Sequence, residues 1–454
     1  MNEKNKLGEK PIGQLLRQFA VPSIISMLVM ALYNIIDQFF IGRKIGEFGN
    51  AATNIVFPLT TSCVAIALLC GIGGAACFNL HLGRGKKDEA MYYAGNSLSL
   101  MILLGIILSL CSEVFLEPLL NIFGCPDSTY EYAYEYTRIT AIGFPLGIFT
   151  AGAGNIIRAD GSPTYSMICN VVGAVVNIIL DPILIFQFDM DMKGAAIATV
   201  CGQVISAAFA LVYLLRFKTD KIRLRHLVIK GKIALGIFSL GLTPFLNQVA
   251  MMVVQIVLNK SLAYYGERSV YGDTIPIACA GIVMKVNQLY FSIIIGLSQG
   301  LQPLISFNYG AKKYDRVRKA FKLASTCGLI ASVIAFLTFQ LFPRNLISIF
   351  GKGSSELYYE FAINFFRIFL FGTFVNFMQP LSSNFFTAIG KPAKGIFLSL
   401  TRQIIFLLPL VIVFPMIFEI DGIMFTAPVA DLVAAIVSVA MVANEMKKIK
   451  EKRN

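Results

Sequence analysis

The chain has 454 residues, of which 56% are apolar and only 14% charged, and its mean hydropathy is +0.70. A soluble domain carries about 25% charged residues, so this composition excludes an ordinary soluble protein and indicates a membrane protein. The formal net charge of +13 would suit a nucleic-acid partner, but its distribution along the chain indicates membrane topology and no nucleic acid.

Apolar stretches long enough to cross about 30 Å of hydrocarbon recur along the whole chain. They predict twelve spans, at residues 15–41, 51–79, 92–116, 130–157, 163–186, 194–216, 233–260, 275–305, 318–342, 356–388, 393–417 and 422–444. The N-terminal residues lead into a helix much longer than the apolar region of a removable signal peptide. We therefore expect an all-α membrane protein with both tails on one side.

Lys and Arg residues are distributed unequally between the two sides. When residues at span ends are assigned to the adjoining loop, the side with both tails holds 28, the opposite loops hold 7, and 4 lie within spans. Such an excess is typical of cytoplasmic loops. Both termini of this multi-pass protein are therefore expected in the cytoplasm.

The sequence repeats itself at an offset of 227 to 229 residues. At 227, EPLLNIFGC (117–125) meets RNLISIFGK (344–352) and GRGKKDEA (83–90) meets GAKKYDRV (310–317); at 229, RADGSP (158–163) meets TAIGKP (387–392). This pattern predicts two pseudo-symmetric six-helix bundles. We place the N-lobe at 1–220, a cytoplasmic linker at 221–231 and the C-lobe at 232–454. Because each lobe has an even number of spans, the repeats are parallel.

The two lobes differ in their intramembrane acids. Asp37 aligns with Asn259, and Asp181 aligns with Leu410. A charged group at membrane depth is unfavourable, so it indicates a functional site. The alternatives are structural roles: Asp37 could reach the outside water from a helix end, and Asp181 could be a buried carboxyl group whose hydrogen bonding is satisfied by a neighbouring amide.

Asp181 stands in a polar segment, NIILDP. Asn177 precedes it by four residues and so shares its helix face, while Pro182 has no N–H and leaves the carbonyl of Ile178 without its helical partner. Thr199 lies at a similar depth in the next span; alone it would be weak evidence, since a membrane Thr usually bonds its own helix. These oxygens could bind a hard cation or accept a proton.

A second polar site is possible in the C-lobe. Asp431 aligns with Gln203 of the N-lobe. It could form an ion pair with Lys285 or with Arg402, or it could be a second coupling site.

The residues also carry a family resemblance. Its segments are Pro22 with the following I-I-S, YNIIDQFFIGRKIG (33–46), RADGSPTYSM (158–167), NIILDPILIF (177–186), GAAIAT (194–199) and GLSQGLQPLISFNYGAKK (296–313). They resemble the multidrug and toxic compound extrusion (MATE) family, in a bacterial branch close to the MepA and DinF types. The match covers nearly the whole chain, and it implies the inner membrane of a bacterium.

The resemblance implies the MATE fold, twelve helices in two lobes, and export of cationic amphipathic compounds in exchange for H⁺ or Na⁺. It implies a cation or proton-coupling site at Asp37, Asn177, Asp181 and Thr199, and a bend of the first helix at Pro22. Another branch of the family uses acids of the second lobe, but the positions equivalent to the N-lobe acids are not acidic here, so we do not carry that site over.

We expect ion binding at the two acids to change the packing of spans 1, 5 and 6 and to weaken drug binding, which is antiport. The candidates for polar contacts with the compound are Asn34, Gln255, Asn259 and Gln288. We find no phosphate loop and no metal-ligand cluster, so we expect no cofactor, no metal other than Na⁺ at the coupling site, and no enzyme activity. The expected partners are cationic drugs or toxins and membrane lipid, and the chain is expected to be a monomer.

Other functions remain open. A flippase for lipids or lipid-linked oligosaccharides in the same superfamily would need a cationic cleft. A major-facilitator transporter would carry a G-x-x-x-D-R-x-G-R-R loop, where GRGKKDEA (83–90) stands instead. A membrane enzyme would need a nucleophile with a base, and a receptor would leave the one-sided acids unexplained.

Overall fold

The computed structural model describes residues 6–272, 274–349 and 356–451, which are almost entirely helical and contain no strand. The first nine long helices are α1 Ile12–Lys44, α2 Phe57–Gly83, α3 Lys87–Val114, α4 Asp127–Ala159, α5 Pro163–Pro182, α6 Asp191–Leu215, α7 Gly231–Glu267, α8 Thr274–Gly310 and α9 Tyr314–Leu341. Next, α10 consists of three pieces, Glu356–Phe369, Thr373–Asn376 and Met378–Ala388.

The last helical stretch runs from Pro392 to Glu451 and contains two spans. A π-helical segment, Thr401–Leu407, joins its first part to Leu408–Glu451, which is interrupted at Glu419 (φ 52°, ψ −137°). We call the part before Glu419 α11 and the part after it α12. By length and composition, the described residues contain ten spanning helices, or eleven with the bent α10, and one of these holds both α11 and α12. The predicted all-α architecture with twelve spans is confirmed.

Two of the predicted spans are interrupted. The span predicted at 51–79 is a short helix, Glu47–Ile55, followed by α2, with a break at Val56. Pro58 lies in the first turn of α2, and it has no N–H to continue the hydrogen bonding of the preceding helix. The span predicted at 356–388 is bent by 40° between its pieces. Gly372 lies at this bend, and glycine is a weak helix former.

The loops 84–86, 160–162, 216–230, 311–313 and 389–391 lie at one end of the molecule, which we call the basic end. Both described termini are there. The carbonyl of Leu7 accepts a hydrogen bond from Asn308 at the end of α8 (3.1 Å), and Glu445 of α12 forms ion pairs with Lys391 and Lys394 at the start of α11. The chain therefore crosses an even number of times, as predicted.

The two halves of the chain pack closely together at the basic end. There α1 packs against α8, and α2 packs against α7. A Cβ on Gly83 would lie 2.2 Å from the carbonyl oxygen of Phe307, and one on Gly310 would lie 2.3 Å from that of Leu80. Gly310 is the repeat equivalent of Gly83, and Phe307 that of Leu80, both at an offset of 227. The repeat therefore makes the same contact twice across this interface between the two halves, which we call the seam. Small residues allow such close approach of membrane helices.

The stretch between α6 and α7 is fixed to the first half. Asp160 accepts hydrogen bonds from the backbone N–H groups of Lys218 (2.7 Å) and Thr219 (2.9 Å). Asn96 of α3 donates to the carbonyls of His226 and Val228 (2.9 and 3.0 Å). The lobe boundaries at 220 and 232 stay a prediction, but this linker is an ordered part of the first half's surface.

We expect Gly241→Ala to destabilise the closed seam. Its Cβ would lie 1.8 Å from the carbonyl oxygen of Leu69, so helix backbones must shift, at a cost of about 1–3 kcal/mol or more. Gly281→Ala on α8 is the control, because no atom lies within 4 Å of its Cβ position. Thermal inactivation in detergent should occur at a lower temperature for Gly241→Ala only; equal midpoints for the two variants would contradict this account.

Candidate functional site

Three helices of the first half bring the four predicted coupling residues together. Asp37 lies on α1, Asn177 and Asp181 on α5, and Thr199 on α6, and α5 packs against both other helices. Asp37 is 8% exposed and Asp181 is fully buried. The acids are therefore held out of water at one place, away from the basic end.

The amide of Asn177 joins α5 to α6. Its nitrogen donates to Asp181 Oδ1 (3.4 Å) and to Thr199 Oγ1 (3.3 Å). With the amide rotated by 180°, the nitrogen donates to Asp181 Oδ2 (3.2 Å) and the oxygen accepts from the Thr199 backbone N–H (3.2 Å). In either orientation the amide holds one carboxyl oxygen beside the threonine.

The two carboxyl groups contact each other. The side chains of Asp37 and Asp181 are close enough to form a hydrogen bond, which would require one proton between them, since two carboxylates have no donor. Asp37 Oδ1 is buried without a hydrogen-bond partner. Neither acid forms an ion pair with any Lys, Arg or His in the described part of the chain. Such a pair can lower its charge by taking up a proton or by binding a cation.

The local helix geometry follows from Pro182. Directly after it, α5 continues as a π-helical segment, Ile183–Gln187, and such segments occur frequently at functional sites. The missing N–H leaves the Ile178 carbonyl without its helical partner, one turn from Asp181. Near the same end of α5, Lys44 forms an ion pair with Asp189, which ties the end of α1 to the loop after α5.

Two tyrosines belong to the site but were not predicted. Tyr33 precedes Asp37 by one helical turn, and the side chain of Tyr136 on α4 lies close to Thr199; both tyrosines lie within electrostatic range of Asp37 and Asp181. The i, i+4 spacing from Asp37 could have identified Tyr33. Tyr136 has no such signal, because only the packing of α4 against α6 brings it to the site.

Pro22, the predicted hinge, lies within α1, which is a single helix from Ile12 to Lys44. Proline cannot donate to the carbonyl of Gln18, four residues earlier. The hydroxyl of the next residue, Ser23, donates to the carbonyl of Phe19 (2.8 Å). This turn therefore has weakened backbone hydrogen bonding, as a hinge requires, and the hinge stays a prediction.

In the second half, Asp431 pairs with Arg402 and not with Lys285. Arg402 Nε donates to Asp431 Oδ1 at 2.5 Å, and Asn376 donates to Oδ2 at 3.2 Å. Both charges are buried. Lys285 is half-buried and has no ion pair among the described residues. Because the acid is neutralised within the lobe, the geometry favours a structural ion pair over a second coupling site.

The four predicted cleft residues lie on α1, α7 and α8. Asn34, Asn259 and Gln288 are exposed, and Gln255 is half-buried. Gln255 donates to Asn259 Oδ1 (3.1 Å). Their contact with a transported compound stays a prediction.

The comparisons with known proteins place the chain among membrane transporters. The MatE family model matches residues 22–183 and again residues 244–413, together more than half of the chain. The Multidrug export protein MepA of Staphylococcus saprophyticus is 26% identical over 426 residues, which cover 93% of this chain and 92% of the relative.

Solved structures show the same fold. A multidrug resistance MATE family transporter of the MOP superfamily, in an outward-facing conformation, has a TM-score of 0.92 at 22% identity, with 99% of both chains covered. A MOP superfamily transporter from Pyrococcus furiosus, for which a binding pocket of reverse polarity suggests a different function, has the same TM-score, identity and coverage.

We expect Arg402→Met to destabilise the second half by about 3–5 kcal/mol, because it leaves a buried carboxylate without its counter-charge. The double variant Arg402→Met/Asp431→Leu removes both charges and should recover most of that loss. Thermal unfolding in detergent measures both. A single variant as stable as the unmodified protein would show that Asp431 does not depend on Arg402.

Proposed function

Because this chain belongs to the MatE family, we propose that it is a secondary active multidrug efflux transporter that exchanges external H⁺ or Na⁺ for cationic amphipathic compounds by alternating access. Its relative is named a multidrug export protein. The observation that carries the proposal is the proximity of Asp37 and Asp181, which are buried, close enough to share a proton and unpaired with any described basic side chain.

Ion binding at this pair provides the coupling. A proton or Na⁺ from outside neutralises the acids, which strengthens the contact of α1 with α5 and α6 and changes the shape of α1 at Pro22. The change in α1 weakens binding of the compound, which is then released. Thermodynamic linkage then requires the compound to weaken ion binding by the same factor.

The available free energy is adequate. One net charge that moves down a membrane potential of 100 mV supplies about 2.3 kcal/mol. At about 1.4 kcal/mol per tenfold, this supports a concentration ratio of order 40-fold. No nucleotide or other cofactor is needed.

The geometry favours H⁺ as the coupling ion. Two carboxyl groups that contact each other share a proton readily. Na⁺ would instead need several oxygen ligands; Asp37, Asp181, Thr199, Asn177 and the Ile178 carbonyl could supply them. The two ions therefore compete for the same residues, and the experiment below distinguishes them.

The orientation and surroundings follow from the charge distribution. We place the basic end in the cytoplasm of a bacterial cell, with both termini there. The cleft then opens toward the outside, where Asn34, Asn259 and Gln288 are exposed and contact the compound. The protein works as a monomer in the lipid bilayer.

A flippase for anionic lipid-linked substrates is the alternative, and it has less support. It needs free cations along the cleft. Arg402 is neutralised by Asp431, and Lys285 is a single half-buried amine. The buried, unpaired charges at the coupling site, Asp37 and Asp181, are acids, which suit cations.

We expect Asp181→Asn to lower gradient-driven efflux of a cationic dye by about tenfold or more, equivalent to about 1.4 kcal/mol of lost coupling. An amide cannot take up a proton at neutral pH and carries no charge for Na⁺. Dye efflux is measured in cells and in everted vesicles, with the pH gradient and the Na⁺ gradient collapsed separately.

The matched control is Asp127→Asn, because Asp127 is an exposed acid at the start of α4. It should leave efflux unchanged. Efflux that stops only when the pH gradient is collapsed identifies H⁺ as the coupling ion. Efflux that survives both treatments and stops on ATP depletion refutes antiport, and undiminished efflux by Asp181→Asn refutes the site.

A further inference from the structure

Two glutamines of α8 cross the seam at the basic end and bind the first half in opposite ways. Gln302 donates from Nε2 to the carbonyl of Ile72 on α2 (3.0 Å). Gln299 Oε1 accepts from Arg158 Nη1 on α4 (3.1 Å). Both glutamines are buried. The seam is thus held by one glutamine acting as donor and one acting as acceptor, a single helical turn apart.

Arg158 is a buried cation without a counter-charge. It is 3% exposed; its Nη1 also donates to Asn155 Oδ1 (2.9 Å), and its Nε has no acceptor. No carboxylate in the described ranges lies within ion-pair distance of it. It stands one residue before the end of α4, where the helix dipole gives weak stabilisation. Amide dipoles therefore solvate this charge but do not neutralise it.

The other half has no equivalent of this contact. At the repeat offset of 229, Thr387 stands in place of Arg158, and its hydroxyl donates to Ser383 within the same helix (3.3 Å). At 227, Ile72 stands in place of Gln299. The packing of a six-helix bundle therefore does not require an arginine here, and the contact exists only where the first half meets α8.

We propose that Arg158 and Gln299 form a latch that sets the balance between the closed and open states of the basic end. The inference rests on the proposed alternating access. In the closed seam, the guanidinium exchanges water for two amide oxygens. When the seam opens, water returns to it, so the lost contact is compensated. A full ion pair would hold the seam shut more strongly, because a carboxylate acceptor adds a full negative charge at hydrogen-bond distance from the guanidinium in a buried site.

The latch predicts that a Gln→Glu substitution has opposite effects on seam opening at Gln299 and at Gln302. Gln299→Glu places a carboxylate on Arg158 and should favour the closed seam by about tenfold, the difference between an amide and a carboxylate acceptor. Gln302→Glu is the matched control on the same helix. It removes the donor to Ile72 and places a carboxylate oxygen against a carbonyl oxygen, so it should favour the open seam.

Cys77 is a native reporter of the seam. It is buried on α2, and its thiol lies 3.5 Å from the carbonyl oxygen of Gly236 on α7. In a chain whose other cysteines are replaced by alanine, the rate at which a membrane-permeant maleimide alkylates Cys77 reports opening. Gln299→Glu should slow alkylation about tenfold, Gln302→Glu should accelerate it, and Gln299→Leu, which removes the acceptor without adding charge, should also accelerate it.

A second background tests the role of the arginine. In Arg158→Met, Gln299→Glu should no longer slow alkylation, because no cation faces the new carboxylate. The proposal is overturned if both glutamate variants shift the rate in the same direction, if the slowing persists without Arg158, or if Gln299→Leu slows alkylation. Only variants that elute as a single species in detergent are compared. Alkylation needs no transported compound, so a failure of the latch is distinguishable from a failure of the export proposal.

Discussion

The first half of this protein is organised around two carboxyl groups that are kept out of water in contact with each other. Like charges at contact in a low-dielectric site cannot both stay ionised unless a cation joins them. Because no described basic side chain pairs with Asp37 or Asp181, the missing positive charge has to come from solution. Under the proposed mechanism, the free energy of packing α1 against α5 and α6 therefore depends on a diffusible ion. A structural role alone would be served better by an internal ion pair.

The second half contains such an internal ion pair. Asp431 is as deeply buried as the coupling acids, but Arg402 neutralises it and Asn376 donates to its other oxygen. At the repeat offset, the first half has Gln203 in place of the acid and Gly173 in place of the arginine. Each half thus carries buried acid at positions where the other half has an uncharged residue. The acids of the first half lack a basic partner, whereas Asp431 of the second half has one. In the proposed mechanism the first lobe therefore responds to the ion, whereas the buried acid of the second lobe is neutralised internally.

The sequence was sufficient to predict contacts between residues that lie close together along one helix. Asn177 and Asp181 share a helix face by the i, i+4 rule, and the family resemblance implies that Asp37 belongs to the same site. The sequence was insufficient where the rotation or the length of a helix decides which side chains come into contact. Tyr136 reaches Thr199 only through the rotation of α4. Arg158 was assigned to a loop beyond a span ending at 157, whereas α4 continues to Ala159 and α8 covers the guanidinium. The breaks at Val56 and at the bend in α10 likewise depend on packing that composition does not report.

Reversible closure needs a seam whose two states leave few polar groups unsatisfied. Where α2 meets α7 and α8, glycines bring backbones together, and the partner of Gln302 is the carbonyl of Ile72 in the interior of α2. That carbonyl keeps its helical N–H partner whether or not the glutamine is present. Opening therefore exposes a glutamine and a guanidinium to water that hydrates both, and it leaves every backbone group of α2 bonded. Interdigitated large side chains would have to unpack first, whereas small-residue contacts separate as rigid surfaces. Because small-residue contacts hold the closed seam, its opening costs little free energy, and under the proposed mechanism a small bias from an ion at Asp37 and Asp181 would select between the two states.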